Sequence, residues 1–132
     1  MKWVTRERPK IDRIACPWLV ARFVDAQAEF LYVPSDDVLR VASETGAVPY
    51  EVPGVAMTHV GELCSFVAFV KEHRLTDLAL AQLATIVRGA DTARLDLAPQ
   101  SAGLHAISLG LSHNVHDEHQ MLAYGMVLCD AL

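Results

Sequence analysis

The stretch THVGELCSF brings three reactive side chains within six residues: the imidazole of His59, the carboxylate of Glu62 and the thiol of Cys64. A borderline transition metal accepts all three donor types, whereas calcium or magnesium would call for more carboxylate and carbonyl oxygens. Local spacing is weak evidence, because short His-x-x-Glu segments arise by chance and a cysteine ahead of an apolar run is often core. A second group, HNVHDEH, spaces His113, His116 and His119 three residues apart beside Asp117 and Glu118. On a helix that spacing puts the side chains on neighbouring positions of one face. It is not the HExxH zinc-enzyme spacing. A helix start, capped by Ser112 or Asn114 with the acidic pair at its positive end, accounts for every residue of the group except the histidines. His119 is the preferred site residue among them. His105, in an apolar helix, reads as a hydrogen-bonded core histidine, and His73 as a surface cap at a helix C-terminus.

A different chemistry is suggested by the first thirteen residues, where Lys2, Arg6, Arg8, Lys10 and Arg13 outnumber Glu7 and Asp12 for a local charge of +3 in a chain of net charge −5. Such a strip attracts a small anion, a phosphate backbone or an acidic partner surface, or is simply a solvated arm. Cys16 precedes Pro17, so its sulfur could sit near a helix N-terminus beside Arg13 and be stabilised as thiolate. The favoured reading is a packed thiol next to Trp18.

Composition narrows the class. With 132 residues, 52% of them hydrophobic, the chain fits one domain, residues 1–132, with an ample core. No apolar run approaches the roughly 20 residues of a membrane span, and MKWVTRERPK lacks the apolar centre of a signal peptide, so the expected location is cytoplasmic, with no membrane partner. Cys16, Cys64 and Cys129 form no Cys-x-x-Cys pair and read as free thiols. The acidic balance, with a pI near 5.6, argues against nucleic acid as a partner of this domain alone. Phosphate-loop, nucleophile-elbow and dinucleotide motifs are absent, so no motif indicates catalysis.

The elements that must position these residues follow from pattern. Trp3 and Val4 start a brief strand before the Pro9 connector, and a helix runs from Asp12 or Cys16 to Val24, Pro17 being tolerable only near its start. Residues 29–33 read as a second strand, and Ser35 caps a helix that Gly46 stops. A third strand covers Val48 to Val52, and Pro53-Gly54 opens a loop reaching to Thr58. From Ser65 onward the periodicity is helical, with Thr76 capping one helix that ends or bends at Gly89–Thr92, Pro99 opening another, and a last one carrying Met121 to Leu128. The expected fold is α+β: a small, three-stranded, partly parallel βαβαβ sheet followed by a mostly helical half sharing its core.

Taken together, RERPKIDRIACPWL, EFLYVP, VPGV, HVGELCSF, IVRGADT, LDLAP, AISLGLS and DEHQML resemble the C-terminal domain of the chromate-resistance protein ChrB family over nearly the whole chain. The resemblance implies a sensing or resistance role in chromate or metal stress. Full-length members resemble transcriptional regulators with an additional N-terminal domain; this chain starts at the WVTRERPK block, so repression by it alone is not expected. Two mechanisms fit that setting. Lys10, Asp12, Arg13 and Cys16 could hold an oxyanion such as chromate, with charge-assisted hydrogen bonds at a helix N-terminus and with Arg6 or Arg8 as further donors. Alternatively, the family blocks bring His59, Glu62, Cys64, Asp91 and His119 onto one divalent transition metal ion, with zinc, iron and manganese all open. The second is favoured, because their ligand chemistry is mutually consistent. Two other classes stay open: an enzyme using an open metal position with Glu62 or His116 as acid or base, and a homo-oligomeric interaction module without a ligand.

Overall fold

Trp3 and Val4 are adjacent and both buried, which in a strand means that both faces of the sheet are covered. A computed structural model describes residues 1–7, 11–52 and 65–132, with backbone only at 11–13 and 65. Strand β1 (Lys2–Arg6) is central, flanked by β2 (Glu29–Val33) and β3 (Val48–Pro49) in the order β2-β1-β3, and both pairings are parallel. In the register, Trp3 stands opposite Phe30 on one side and Val48 on the other. Parallel neighbours need crossover connections. Helix α1 (Ile11–Leu19), extended by a π-helical turn at Val20–Val24, leads from β1 to β2. A 3₁₀ turn (Ser35–Asp37) and helix α2 (Val38–Thr45) lead from β2 to β3.

Among the described residues two apolar cores result. Val4, Val38, Ala47 and Val52 pack on the α2 side of the sheet. Trp3, Phe30 and Tyr50 belong to the larger core on the other side, with Leu19, Phe66, Phe69, Leu80, Val87 and Leu104. That core is filled by α1, α3 (Ser65–Glu72), α4 (Leu78–Asp91), α5 (Ser101–Asn114) and α6 (Glu118–Ala131). The fold is the α+β arrangement read from the sequence, with a sheet that is wholly parallel.

Several boundaries differ from expectation. Pro17 lies inside α1, which starts at Ile11; it has no N–H to return to the preceding turn, and the helix widens into its π turn three residues later. Ser35 caps nothing, because it is already inside the 3₁₀ turn. The cap of α4 is Asp77, not Thr76: its side chain accepts from Ala79 N at 2.8 Å. Asp117, not Ser112 or Asn114, caps α6, accepting from Gln120 N at 2.9 Å. Strand β3 stops at Pro49 rather than Val52, since Glu51 has a φ of 58° and leaves the extended region. Gly46 ends α2 with φ 74°, as its type suggested, and α4 ends at Thr92. Gly89 is where α4 meets α5: a Cβ there would overlap Ser101, whose hydroxyl donates to Ile86 O at 3.0 Å.

Candidate functional site

All three strands point the same way, so Arg6, Val33 and Pro49 end at one edge of the sheet. From the central strand the chain crosses first to one side and then to the other. In open α/β sheets the crevice outside the carboxyl ends, at such a switch in direction, is where ligands bind. Glu7 N donates to Val33 O at 3.0 Å, tying the exit of β1 to the end of β2. Buried Thr5 donates through Oγ1 to Tyr50 O at 2.8 Å, tying β1 to the exit of β3. The stretches 8–10 and 53–64 follow these two exits in the sequence. Arg6 closes the central strand with its Nε buried and without a hydrogen-bond partner among the described residues.

Two helices bring further groups toward this edge. Gly125 of α6 rests against Ile14 of α1, and Asp130 is bonded to Trp18, so α6 runs parallel to α1. His119, six residues before Gly125, therefore reaches roughly 9 Å past the level of Ile14. There its ring stands edge-on to Tyr32 of β2, with centroids 5.6 Å apart at 76°. Helix α4 runs the opposite way. Leu80, near its start, lines a groove with Trp18 and Phe23. Ala90, near its end, accepts from His105 Nδ1 at 3.1 Å, and the neighbouring Leu104 lies beside Ile14 and Ala15. Half-buried Asp91 is thus level with the first half of α1.

Of the nine candidates, the structure describes the side chains of Asp91, His119 and Cys16. Asp91 lies level with the first half of α1, whereas His119 reaches roughly 9 Å beyond the level of Ile14. Cys16 is 0% exposed and belongs to the larger core, the packed setting favoured for its thiol. Lys10, His59, Glu62 and Cys64 lie outside the described residues, as do the side chains of Asp12 and Arg13. Among the described residues, no three His, Cys, Asp or Glu side chains come together as a metal site. His113 and His116 are exposed and line a shallow recess of about 180 Å³ at the α5–α6 joint with Asp117 and Glu118. His105 is hydrogen-bonded, and His73 closes α3 through Nδ1 to Phe69 O at 3.1 Å, as their settings suggested.

A network without a signal in the sequence lies at the opposite end of α1. Asp130 accepts from Trp18 Nε1 at 2.6 Å and from Arg22 Nε and Nη2 at 3.2 and 2.9 Å. It borders a groove of about 600 Å³ lined by Trp18, Phe23, Leu80, Leu83, Ile86 and Cys129. Burial and the neighbouring Asp130 push the Cys129 thiol up to about 12, so it is not a nucleophile at neutral pH. The hydrogen bonds from Arg22 and Trp18 hold the Asp130 carboxyl down at about 2, from an ordinary 3.8. Because the folded value is the lower one, the network stabilises fully above the ordinary carboxylate range and is lost as pH falls through about 2. Trp18 emission should shift over that acid window in the wild type, and Asp130→Asn should remove the transition in a fluorescence titration.

A family model described as ChrB, C-terminal domain matches residues 3–132. The chain belongs to that family. Protein ChrB of Cupriavidus metallidurans is 29% identical over 122 residues, which are 92% of this chain and 36% of that protein. The ChrB-type domain described here thus spans little more than a third of the length of that curated relative. No solved structure matches it. Among the described residues, no helix is long and apolar enough to cross a membrane.

Proposed function

We propose that this domain is the ligand-binding part of a chromate- or metal-stress response, taking a divalent transition metal ion or a small oxyanion such as chromate at the carboxyl edge of its sheet. The observation that supports this reading is placement: His119 stands beside Tyr32 near the carboxyl end of β2, and Asp91 closes α4, which runs opposite to α6, level with the first half of α1. The sequence after the exits of β1 and β3 contains Lys10, His59, Glu62 and Cys64. An imidazole with a carboxylate suits zinc, iron or manganese, and the buried Arg6 Nε suits an oxyanion. Membership of the ChrB C-terminal domain family, linked to chromate resistance, supplies the setting.

The test is elemental analysis of protein purified without an affinity tag, before and after incubation with zinc, iron(II) or manganese, followed by calorimetric titration with chromate. About one ion per chain is expected, falling at least tenfold in affinity for His119→Ala and Asp91→Asn. If neither a stoichiometric metal nor saturable chromate binding is found, the reading is wrong.

A further inference from the structure

Three pieces of the fold border the groove beside Asp130: the end of α1 with its π-helical turn, one face of α4 and the end of α6. Leu80, Leu83 and Ile86, three residues apart, form a buried apolar floor running about 9 Å along α4. Ala79, Gln82 and Thr85 repeat that spacing one residue earlier and form an exposed rim. Trp18 and Phe23 supply an aromatic wall, their ring centroids 5.8 Å apart and their planes at 65°. Phe23 is 44% exposed, an aromatic side chain left partly in water. It is carried by the π turn, a departure from α geometry that is often found at functional sites. Trp18 Nε1 donates to Asp130, which Arg22 of the π turn also grips, so the indole is ordered before anything enters the groove. At about 600 Å³ the groove falls within the roughly 300–1,000 Å³ of small-molecule sites.

We propose that this groove binds a small uncharged aromatic molecule, its ring packed against Trp18 and Phe23 over the Leu80/Leu83/Ile86 floor and its polar substituent at the rim. Charge selects a neutral occupant. Asp77 and Asp130 line the groove, and among the described residues no Lys, Arg or His does, so an anion would meet carboxylates without a counter-charge. A cation fares little better, because both carboxylates are already engaged. Asp130 pairs with Arg22 at 2.9 Å, and Asp77 sits at the positive end of α4, accepting from Ala79 N. An ammonium would shed its hydration without an unanswered charge to replace it. Other polar groups are also satisfied within the chain: the Trp18 N–H by Asp130, and the Thr85 hydroxyl by Ala81 O at 3.2 Å. The side-chain amides of Gln82 and Gln100 make no hydrogen bond among the described residues and are left for a hydroxyl, carbonyl or amine of the ligand. The groove lies at the other end of α1 from the carboxyl edge of the sheet, so this site stands independently of the metal or oxyanion reading.

N-phenyl-1-naphthylamine, a neutral probe whose emission rises in apolar surroundings, is expected to saturate one site per chain with a dissociation constant on the order of 10 μM. In displacement of that probe, 1-naphthylmethanol should compete at least tenfold better than 1-naphthoate or 1-naphthylmethylammonium, which share its ring system. Thr85→Phe narrows the rim and Phe23→Ala removes part of the wall. Each should weaken probe binding at least tenfold while the melting midpoint stays near that of the wild type. Val127→Asp, exposed on α6 and outside the groove, should leave binding unchanged. Absence of saturable binding, equal or better competition by either charged compound, or binding that survives both Thr85→Phe and Phe23→Ala overturns the proposal. Should either variant misfold, amide NMR of the wild type with 1-naphthylmethanol decides instead. The Trp18 indole N–H and residues 79–86 must shift while the Trp3 indole does not, and shifts confined to other residues refute the site.

Discussion

Replacing Gly125 with leucine is expected to destabilise the domain by about 3 kcal/mol or more, a large share of a total on the order of 5–15 kcal/mol. Even a Cβ at this position would overlap Ile14 Cγ2 and come within 3.3 Å of Ile14 Cβ. The obstacle is a branched core side chain, and Ile14 is only 3% exposed, with nowhere to swing. Relief would have to come from moving α6 away from α1. That displacement would also pull Asp130 from Trp18 and Arg22 and His119 from Tyr32, because one rigid helix carries both ends. The check is the urea midpoint of Gly125→Leu beside that of Gly125→Leu with Ile14→Ala. The second substitution removes the clashing methyl, so the pair should recover part of the loss although Ile14→Ala alone destabilises. A double variant no better than Gly125→Leu would mean that the close approach of α1 and α6 is not what the glycine serves.

Gly125 also illustrates what can be read from a sequence. Its place in an apolar helix was plain, but a glycine in a helix can mark a close neighbour or nothing, and Gly103 and Gly110, with open space around them, look the same in the chain. Strand and helix identities were legible because Phe30, Leu31, Tyr32 and Val33 form a dense β-prone run and Gly46 stands where α2 must reverse. The helix starts were less so. Thr76 and Asp77 are adjacent residues of equal capping chemistry, and the geometry of the turn before α4 chooses the second. Pro17 was misplaced for a related reason: proline biases against a helix interior by a few kcal/mol, and the burial of Ile14, Ala15, Trp18 and Leu19 against the sheet outweighs it.

The candidate site divides along similar lines. His119 could be singled out because its triplet sits at a helix start, and the structure adds its neighbour Tyr32, 87 residues away in the chain, which no local pattern indicates. Any convergence at the carboxyl edge depends on topology, because the order β2-β1-β3 and the opposite directions of α4 and α6 are not local features of the sequence. The Asp130 network was invisible for the same reason, since Arg22 and Asp130 are 108 residues apart.

Phe69→Ala is the second substitution expected to have a large effect, at about 3–5 kcal/mol. Phe69 is fully buried and joins three parts of the fold: its ring lies 6.0 Å from Trp3 of β1, stands edge-on to Tyr50 at 5.8 Å, and stacks at 11° on His73, just past the end of its own helix. Truncation leaves a cavity bounded by two large aromatics that cannot collapse into it, so the cost should fall near the top of that range. Phe69→Leu fills most of the space and should cost roughly 1–2 kcal/mol. The position also bears on the site. Tyr50 precedes the stretch 53–64 in the chain and α3 follows it, so the Phe69–Tyr50 contact joins the described residues on either side of His59, Glu62 and Cys64 in the sequence. Affinity for the metal ion or chromate proposed as ligand should therefore drop at least tenfold per folded molecule in Phe69→Ala, measured at a temperature where near-ultraviolet circular dichroism reports a native fold, and much less in Phe69→Leu. Equal affinity in wild type and Phe69→Ala under those conditions would show that the aromatic clamp serves stability alone, and would separate the energetics of the core from the chemistry of the edge.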